Sequence, residues 1–201
     1  MRSLSETDVS PNAITQFENW WSEAVASEIS EPNAMTIATA SADGVPSARI
    51  VLLKGFDERG FVFFTNYNSY KGEQIAENPR ACLVFFWKEL ERQVRIMGVV
   101  EKLSAQESDE YFDSRPEGSR ISGMISPQSS VIENREWLEE KVNAAAQQLT
   151  GKHIPRPDHW GGYRIKPAII EFWQGRSNRL HDRLQYSLTE NGAWKIERLA
   201  P

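Results

Sequence analysis

Near its C-terminal end the chain reads "SNRLHDRLQY", Ser177 to Tyr186, with Arg179, His181 and Arg183 at alternate positions in a protein that has three histidines. In an extended strand successive side chains point to opposite faces, so the three bases share one face and Leu180 and Leu184 the other. Two readings follow: the solvated face of a half-buried antiparallel strand, or a surface that holds an anion and orients a planar substrate. Further basic and hydroxyl residues are spread along the chain. They are Arg49 and Lys54 in "SARIVLLKG", Thr65, Ser69 and Lys71 in "FTNYNSYKG", and Arg115 and Ser119 in "YFDSRPEGSR". Phosphate is held by several charge-assisted donors at once, and these groups suit it, although each taken singly is also an ordinary surface residue. Arg49 and Lys54 are an odd number of positions apart. A flat strand places them on opposite faces, where they serve two different phosphates, unless a bulge brings them together. Tyr111, Arg115 and Ser119 are spaced by four and align on one helix face, but Pro116 should interrupt that helix. Gln93 and Arg95 share a strand face, and Gln128 and Ser129 sit in a polar loop. They are either plain edge and loop residues or partners for the edge of a heteroaromatic ring. Trp173 in "EFWQG" is core by default, or packs on a flat cofactor.

The elements that must carry these residues are mostly strands. Ser10 and Pro11 suit the start of a first helix, with Ile14, Phe17, Trp21, Ala24 and Val25 at helical spacing and an end near Ile29. After Pro32 the pattern turns to short β-rich runs: "MTIATA", "SARIVLLKGF" and "FVFFTN", separated by Asp43-Gly44 and "DERG" turns. A short helix over 69–77 is followed by "ACLVFFW", read as a buried strand, and "RQVRIMGVVEKL". Ser104 and Glu107 form a capping box, and a longer helix covers roughly 131–149. "GGYRI", "IIEFWQG" and "RLHDRLQYSL" read as three closing strands, with "AWKIERL" as a fourth after Asn191-Gly192. The fold expected is mainly β with flanking helices, a closed or partly closed antiparallel barrel.

Composition narrows the chemistry. The 201 residues are 40% hydrophobic and 25% charged, enough for one domain with a real core. A net charge of −5 argues against a general nucleic-acid or membrane binder, so any basic cluster is local. The single cysteine, Cys82, excludes an intrachain disulfide, and the three histidines lack metal-ligand spacing. No Gly-rich dinucleotide loop, Walker loop or serine-hydrolase elbow is present. With no apolar leader or spanning segment in the sequence, the expectation is a soluble cytoplasmic protein.

Taken in order, "SARIVLLKG", "FTNYNSYKG", "NPRA", "ERQVRIMG", "SRPEGSRI", "SPQS", "WGGYRI", "EFWQGRSNRLHDR" and "WKIERLAP" closely resemble the FMN-dependent pyridoxine/pyridoxamine 5′-phosphate oxidases, from about Glu31 to Pro201. The resemblance implies an FMN-binding split β-barrel over residues 31–201, its C-terminal strands serving dimerisation and substrate, preceded by an N-terminal helical extension over 1–30. It implies a homodimer with FMN in clefts at the interface, and oxidation of pyridoxine or pyridoxamine 5′-phosphate at C4′ by O2, giving hydrogen peroxide and, from the amine, ammonia.

Carried over by position, Arg49 falls on the FMN phosphate and Lys54 on the substrate phosphate. Ile50, Val51, Leu52, Leu53, Lys54, Phe64, Thr65, Ser69, Lys71, Gln93, Gln128, Ser129, Trp173 and Arg183 fall on further FMN positions. Tyr111, Arg115 and Ser119 fall on the substrate-phosphate pocket, and Arg179 and His181 over the pyridine ring as the catalytic pair. Two departures stand out. Tyr70 occupies the place of an FMN-phosphate arginine, and Ser122-Gly123-Met124 replaces the usual Gly-Ala-Trp. Two rivals are a phenazine-pathway flavin oxidase, a class that generally lacks the lysine and the "SRPEGS" pocket, and a non-catalytic flavin or pyridoxal-phosphate carrier.

Overall fold

The computed structural model describes residues 3–201; Met1 and Arg2, the start of the expected N-terminal extension, lie outside the described residues. Nine strands form one curled antiparallel sheet: β1 Ala34–Ala40, β2 Pro46–Leu52, β3 Gly55–Asp57, β4 Gly60–Asn66, β5 Arg80–Trp87, β6 Arg92–Lys102, β7 Trp160–Gln174, β8 Asp182–Leu188 and β9 Trp194–Arg198. The path runs β2-β1-β5-β6-β7-β4-β3, with β8 and β9 branching from β7. The split in the barrel lies in β7. One edge of this strand pairs with β6 along its length, while the other pairs with β4 over 160–165 and with β8 over 169–174.

"GGYRI" and "IIEFWQG" are therefore one 15-residue strand rather than two. Pro167 sits where the partner changes, and a proline there leaves one fewer backbone N–H to pair. The opposite strand shifts register between Met97 and Gly98. A Cβ on Gly98 would lie 2.0 Å from the Lys166 carbonyl oxygen, so only glycine lets the two backbones close at the bulge.

Five helices flank the sheet: α1 Ala13–Val25, α2 Tyr70–Glu77, α3 Ala105–Asp113, α4 Glu117–Ile125 and α5 Arg135–Leu149. Helix α1 starts later than expected because Asn12, not Ser10, caps it, its Oδ1 accepting from the amides of Ile14 and Thr15 at 2.7 and 3.1 Å. It ends at Val25 rather than near Ile29, where Ser27 Oγ donates to the Ala24 carbonyl at 2.6 Å. Helix α5 likewise begins at Arg135, not at Val131, because Asn134 caps it. The Ser104–Glu107 capping box forms as read.

Inward-facing residues of the sheet close on α1. Phe17 is fully buried and meets the rings of Phe56, Phe61 and Phe85 at 4.8 to 5.3 Å. Strand β5 alternates rather than being buried throughout: Leu83 and Phe85 point inward, Cys82 is half-buried and Phe86 is exposed. "SARIVLLKGF" is two strands, because the chain leaves β2 at Leu53, whose side chain drops into the core, and resumes in β3 at Gly55. Among the described residues no helix is long and apolar enough to cross a membrane.

Gly98→Ala should destabilise the protein by about 1–3 kcal/mol, the usual cost of forcing volume into a packed site. Urea denaturation checks it; a change under half a kilocalorie would mean that the bulge yields.

Candidate active site

A cavity of about 850 Å³ lies between β2, the end of β4, the start of α2 and the α3–α4 turn. Four cations line it, Arg49, Lys54, Lys71 and Arg115, and no carboxylate does. In a chain of net charge −5 this local excess is built rather than average.

At one end stand Arg49 and Lys71. Arg49 Nη1 donates to Thr39 Oγ1 at 2.6 Å and Nη2 to Ser47 Oγ, while both hydroxyls donate on to Gln74 Oε1. Thr39 and Ser47 are register partners in the β1–β2 hairpin, so pairing alone brings them side by side. Neutral groups thus orient the guanidinium without spending its charge. Lys71 is 7% exposed, and its Nζ donates to Thr65 Oγ1 at 2.9 Å, Gln128 Oε1 at 3.0 Å and Ser69 Oγ at 3.2 Å. Loss of water around the ammonium, and then the charge of Arg49, pull the Lys71 pKa down to about 8. The Ser69 side chain is fully buried: it caps α2 and accepts from Lys71 rather than lining the cavity. Tyr70, the departure from the family pattern, lines the cavity half-exposed, within electrostatic reach of Arg49.

Lys54 and Arg115 gather round Tyr111 at the other end. Phe64, Tyr111 and Trp160 stack with nearly parallel rings, the Phe64–Tyr111 centroids 3.8 Å apart. Lys54 Nζ lies 5.9 Å from the Tyr111 ring centre, and the Arg115 guanidinium 4.6 Å from that of Trp160. Arg115 Nη1 is buried and has no hydrogen-bond partner among the described residues. Burial lowers the Arg115 pKa for the same reason as that of Lys71. Pro116 does interrupt the helix, yet Tyr111, Arg115 and Ser119 still line one cavity, because α4 restarts at Glu117. The break at Leu53, and no bulge, brings Lys54 into the cavity that holds Arg49.

Ile50, Val51, Leu52, Phe64, Thr65, Gln128 and Ser129 also line this cavity, Ser129 with a left-handed φ of 72°, whereas Leu53 turns into the core. The remaining sequence candidates lie elsewhere. Gln93, Trp173 and Arg183 are register neighbours across β6, β7 and β8. Trp173 lies eleven positions beyond Gly162, which pairs with Phe64 at the cavity, so roughly 35 Å of strand separates the two groups. Arg183 Nε donates to Glu171 Oε1 at 2.8 Å, and Arg95 donates to the other oxygen of this buried carboxylate.

The alternating face read for Arg179, His181 and Arg183 is not formed. Ser177–Arg179 is a 3₁₀ turn, Asn178 and Arg179 have φ of 58° and 60°, and β8 begins only at Asp182. A strand cannot continue through two left-handed residues. His181 is instead fixed locally: its Nδ1 accepts from the Arg176 amide at 3.1 Å, and its ring lies 4.6 Å from that of Trp173. Sequence reasoning missed Thr39, Ser47, Gln74 and Trp160. Only the Asp43-Gly44 hairpin turn, which sets Thr39 opposite Ser47, carried a signal for any of them.

Residues 21–149 match the family model described as pyridoxamine 5′-phosphate oxidase, and residues 160–201 match the pyridoxine 5′-phosphate oxidase C-terminal dimerisation region. The chain belongs to the pyridoxamine 5′-phosphate oxidase family. It is 59% identical over all 201 residues to a pyridoxine/pyridoxamine 5′-phosphate oxidase of Nostoc punctiforme, covering 94% of that protein. It is 56% identical, over 99% of this chain and 93% of the relative, to one from Cupriavidus necator. Among solved structures, PhzG from Burkholderia lata 383, in complex with tetrahydrophenazine-1-carboxylic acid, superposes with a TM-score of 0.93 at 32% identity, covering 100% of this chain and 99% of that one. These are split-barrel relatives, and the chain is an oxidase of that family.

With a pKa of about 8, Lys71 is mostly charged at pH 7 and mostly neutral at pH 9, so the affinity of this cavity for a phosphate monoester should fall between the two. Calorimetric titration at pH 7 and pH 9 tests this, and Lys71→Met should remove the difference between the two.

Proposed function

We propose that the protein oxidises pyridoxine 5′-phosphate or pyridoxamine 5′-phosphate to pyridoxal 5′-phosphate with FMN and O2, within a homodimer. The observation that carries this reading is one carboxylate-free cavity with two separate cation pairs, Arg49 with Lys71 and Lys54 with Arg115. Two pairs suit two phosphates, one from the cofactor and one from the substrate. The buried, unpartnered Nη1 of Arg115 is a donor awaiting an acceptor. A phenazine-type substrate, as in the PhzG complex, brings a carboxylate rather than a phosphate, so it would offer the Lys54–Arg115 end less charge and fewer acceptor oxygens.

Arg49 and Lys71 would hold the FMN phosphate, with Thr65, Gln128 and Ser129 beside it. Held there, FMN would supply the two-electron chemistry: hydride from C4′ and a proton from the alcohol or amine would end on O2 as hydrogen peroxide, and water would hydrolyse the imine from the amine to release ammonia. Lys54, Tyr111, Arg115 and Ser119 anchor the substrate phosphate, and the Phe64–Tyr111–Trp160 stack walls that end with apolar surface. Arg179 orients the pyridine ring and stabilises negative charge that develops on it; His181 fixes the ring from the same turn. Gln93, Trp173 and Arg183 complete the flavin site.

A mononucleotide is far shorter than the stretch of β7 between the cavity and this second group. We therefore assign the two groups to different subunits: the cavity of one protomer faces the Gln93–Trp173–Arg183 row and the Arg179–His181 turn of its partner.

Oxygen uptake by the FMN-loaded protein with both substrates tests the reaction; no peroxide from either would refute it. Lys54→Ala and Arg115→Ala should each weaken substrate binding by roughly 1.5–3 kcal/mol while the flavin absorbance is kept. Arg179→Ala should lower kcat as well as affinity, and an unchanged kcat would reduce Arg179 to a binding role.

Mixing subunits tests the shared site. Arg49→Ala and Arg179→Ala protomers are each impaired alone, but a heterodimer of the two has one site in which both residues are intact. Co-expression should restore up to half the native activity per heterodimer; no recovery would place both residues in one subunit's site.

A further inference from the structure

The turn that carries Arg179 and His181 is held from outside by the N-terminal segment. Leu4 is buried, and its amide donates to Asp182 Oδ2 at 3.1 Å. Arg198, on the last strand, donates to Asp182 Oδ1 at 2.9 Å, to the Leu4 carbonyl at 2.9 Å and to both carboxylate oxygens of Glu6 at 2.9 and 2.7 Å. Asp182 also faces Arg176 Nε at 3.7 Å, and six residues along, the segment is tied again where Tyr186 donates from its hydroxyl to the Ser10 carbonyl at 2.8 Å. Asp182 directly follows His181, and Arg176 supplies the amide that His181 Nδ1 accepts. The two ends of the 176–182 turn are thus pinned to one carboxylate, and that carboxylate is pinned to the N-terminal segment by a guanidinium that commits four of its five N–H groups there.

We propose that Arg198 is a positioning residue: with Asp182 and the Leu4–Glu6 segment it forms a clamp that fixes the Arg176–Asp182 turn, and so sets the placement of Arg179 and the tautomer of His181. With Nδ1 occupied as an acceptor, the neutral imidazole carries its proton on Nε2 and offers a donor on its open side. The turn needs such a clamp. It contains two consecutive left-handed non-glycine residues, Asn178 and Arg179, a backbone state that surrounding contacts must maintain. Arg198 does not line the cavity, and its guanidinium reaches the turn through Asp182. Its effect on turnover rests on the function proposed above; its effect on the imidazole does not.

The test compares the FMN-loaded native protein with Arg198→Ala. Long-range ¹H–¹⁵N spectra of the three histidine rings, recorded at about pH 8.5, read the tautomer of His181. The native spectrum should show the Nε2–H form and the variant a mixture of both forms. With pyridoxine 5′-phosphate, kcat should fall about tenfold, KM should change little, and FMN affinity should stay within twofold. An unchanged His181 pattern overturns the clamp. So does a parallel fall in FMN affinity and kcat, which would report general loosening. If the native protein makes no peroxide but the variant still mixes tautomers, the clamp stands and the proposed reaction falls. Should Arg198→Ala fail to fold, the exposed change Glu6→Ala loosens the same clamp and is held to the same outcomes.

Discussion

Four cations share one cavity without a carboxylate among its lining residues, and their repulsion is the cost around which the surrounding structure is arranged. An isolated buried ammonium is expensive, and Lys71 is tolerable only because three neutral oxygens converge on it. Those oxygens come from β4, from the cap of α2 and from the loop after α4, so the Lys71 site requires all three segments to meet. Arg49 is managed the same way, through Thr39, Ser47 and Gln74. A carboxylate would have lowered this cost more cheaply, but it would also have cancelled the field that attracts an anion. Neutral acceptors hold the cations in place and leave the charge available.

Strand β7 is the second constraint. It runs from the aromatic wall of the cavity, at Trp160, to the Trp173 row. Its change of partner at Pro167, matched by the register shift at Gly98, lets a single strand serve two partners, β4 and β8, along one edge. Its length keeps the cavity and the Gln93–Trp173–Arg183 row apart within one chain, and the C-terminal part of the chain belongs to a region described in this family as dimerising.

The positive and negative parts of the molecule divide the work between them. Carboxylates are absent from the lining of the cavity and pair with cations at the other end of β7. Glu171 anchors Arg95 and Arg183 on the sheet, and Asp182 and Glu6 bind Arg198 behind the Arg179 turn. Ion pairs there orient cations and fix backbone, whereas the cations of the cavity stay unneutralised. The same side-chain types therefore do opposite jobs according to whether a carboxylate reaches them.

Much was legible in the sequence because it depends on local pattern. Alternating apolar runs, the Asp43-Gly44 and Asn191-Gly192 turns and the Ser104–Glu107 box reflect one or two turns of chain, and the antiparallel barrel with flanking helices followed from them. Long collinear strings around Arg49, Arg115 and Arg179 carried the family. What the sequence could not decide were the places where tertiary contacts override local preference. The Arg179–His181 run alternates like a strand, yet the contacts of Asp182 and Arg176 fold it into a 3₁₀ turn with two left-handed residues. Two apolar runs across Pro167 look like separate strands, yet a glycine 69 positions earlier lets them join as one. Arg49 and Lys54 have the wrong parity for one face, yet the chain breaks at Leu53 because that side chain is worth more in the core than in the strand. Thr39, Ser47 and Gln74 carry no signature at all, since their role is to meet one guanidinium in space, and only the closed sheet brings them to it.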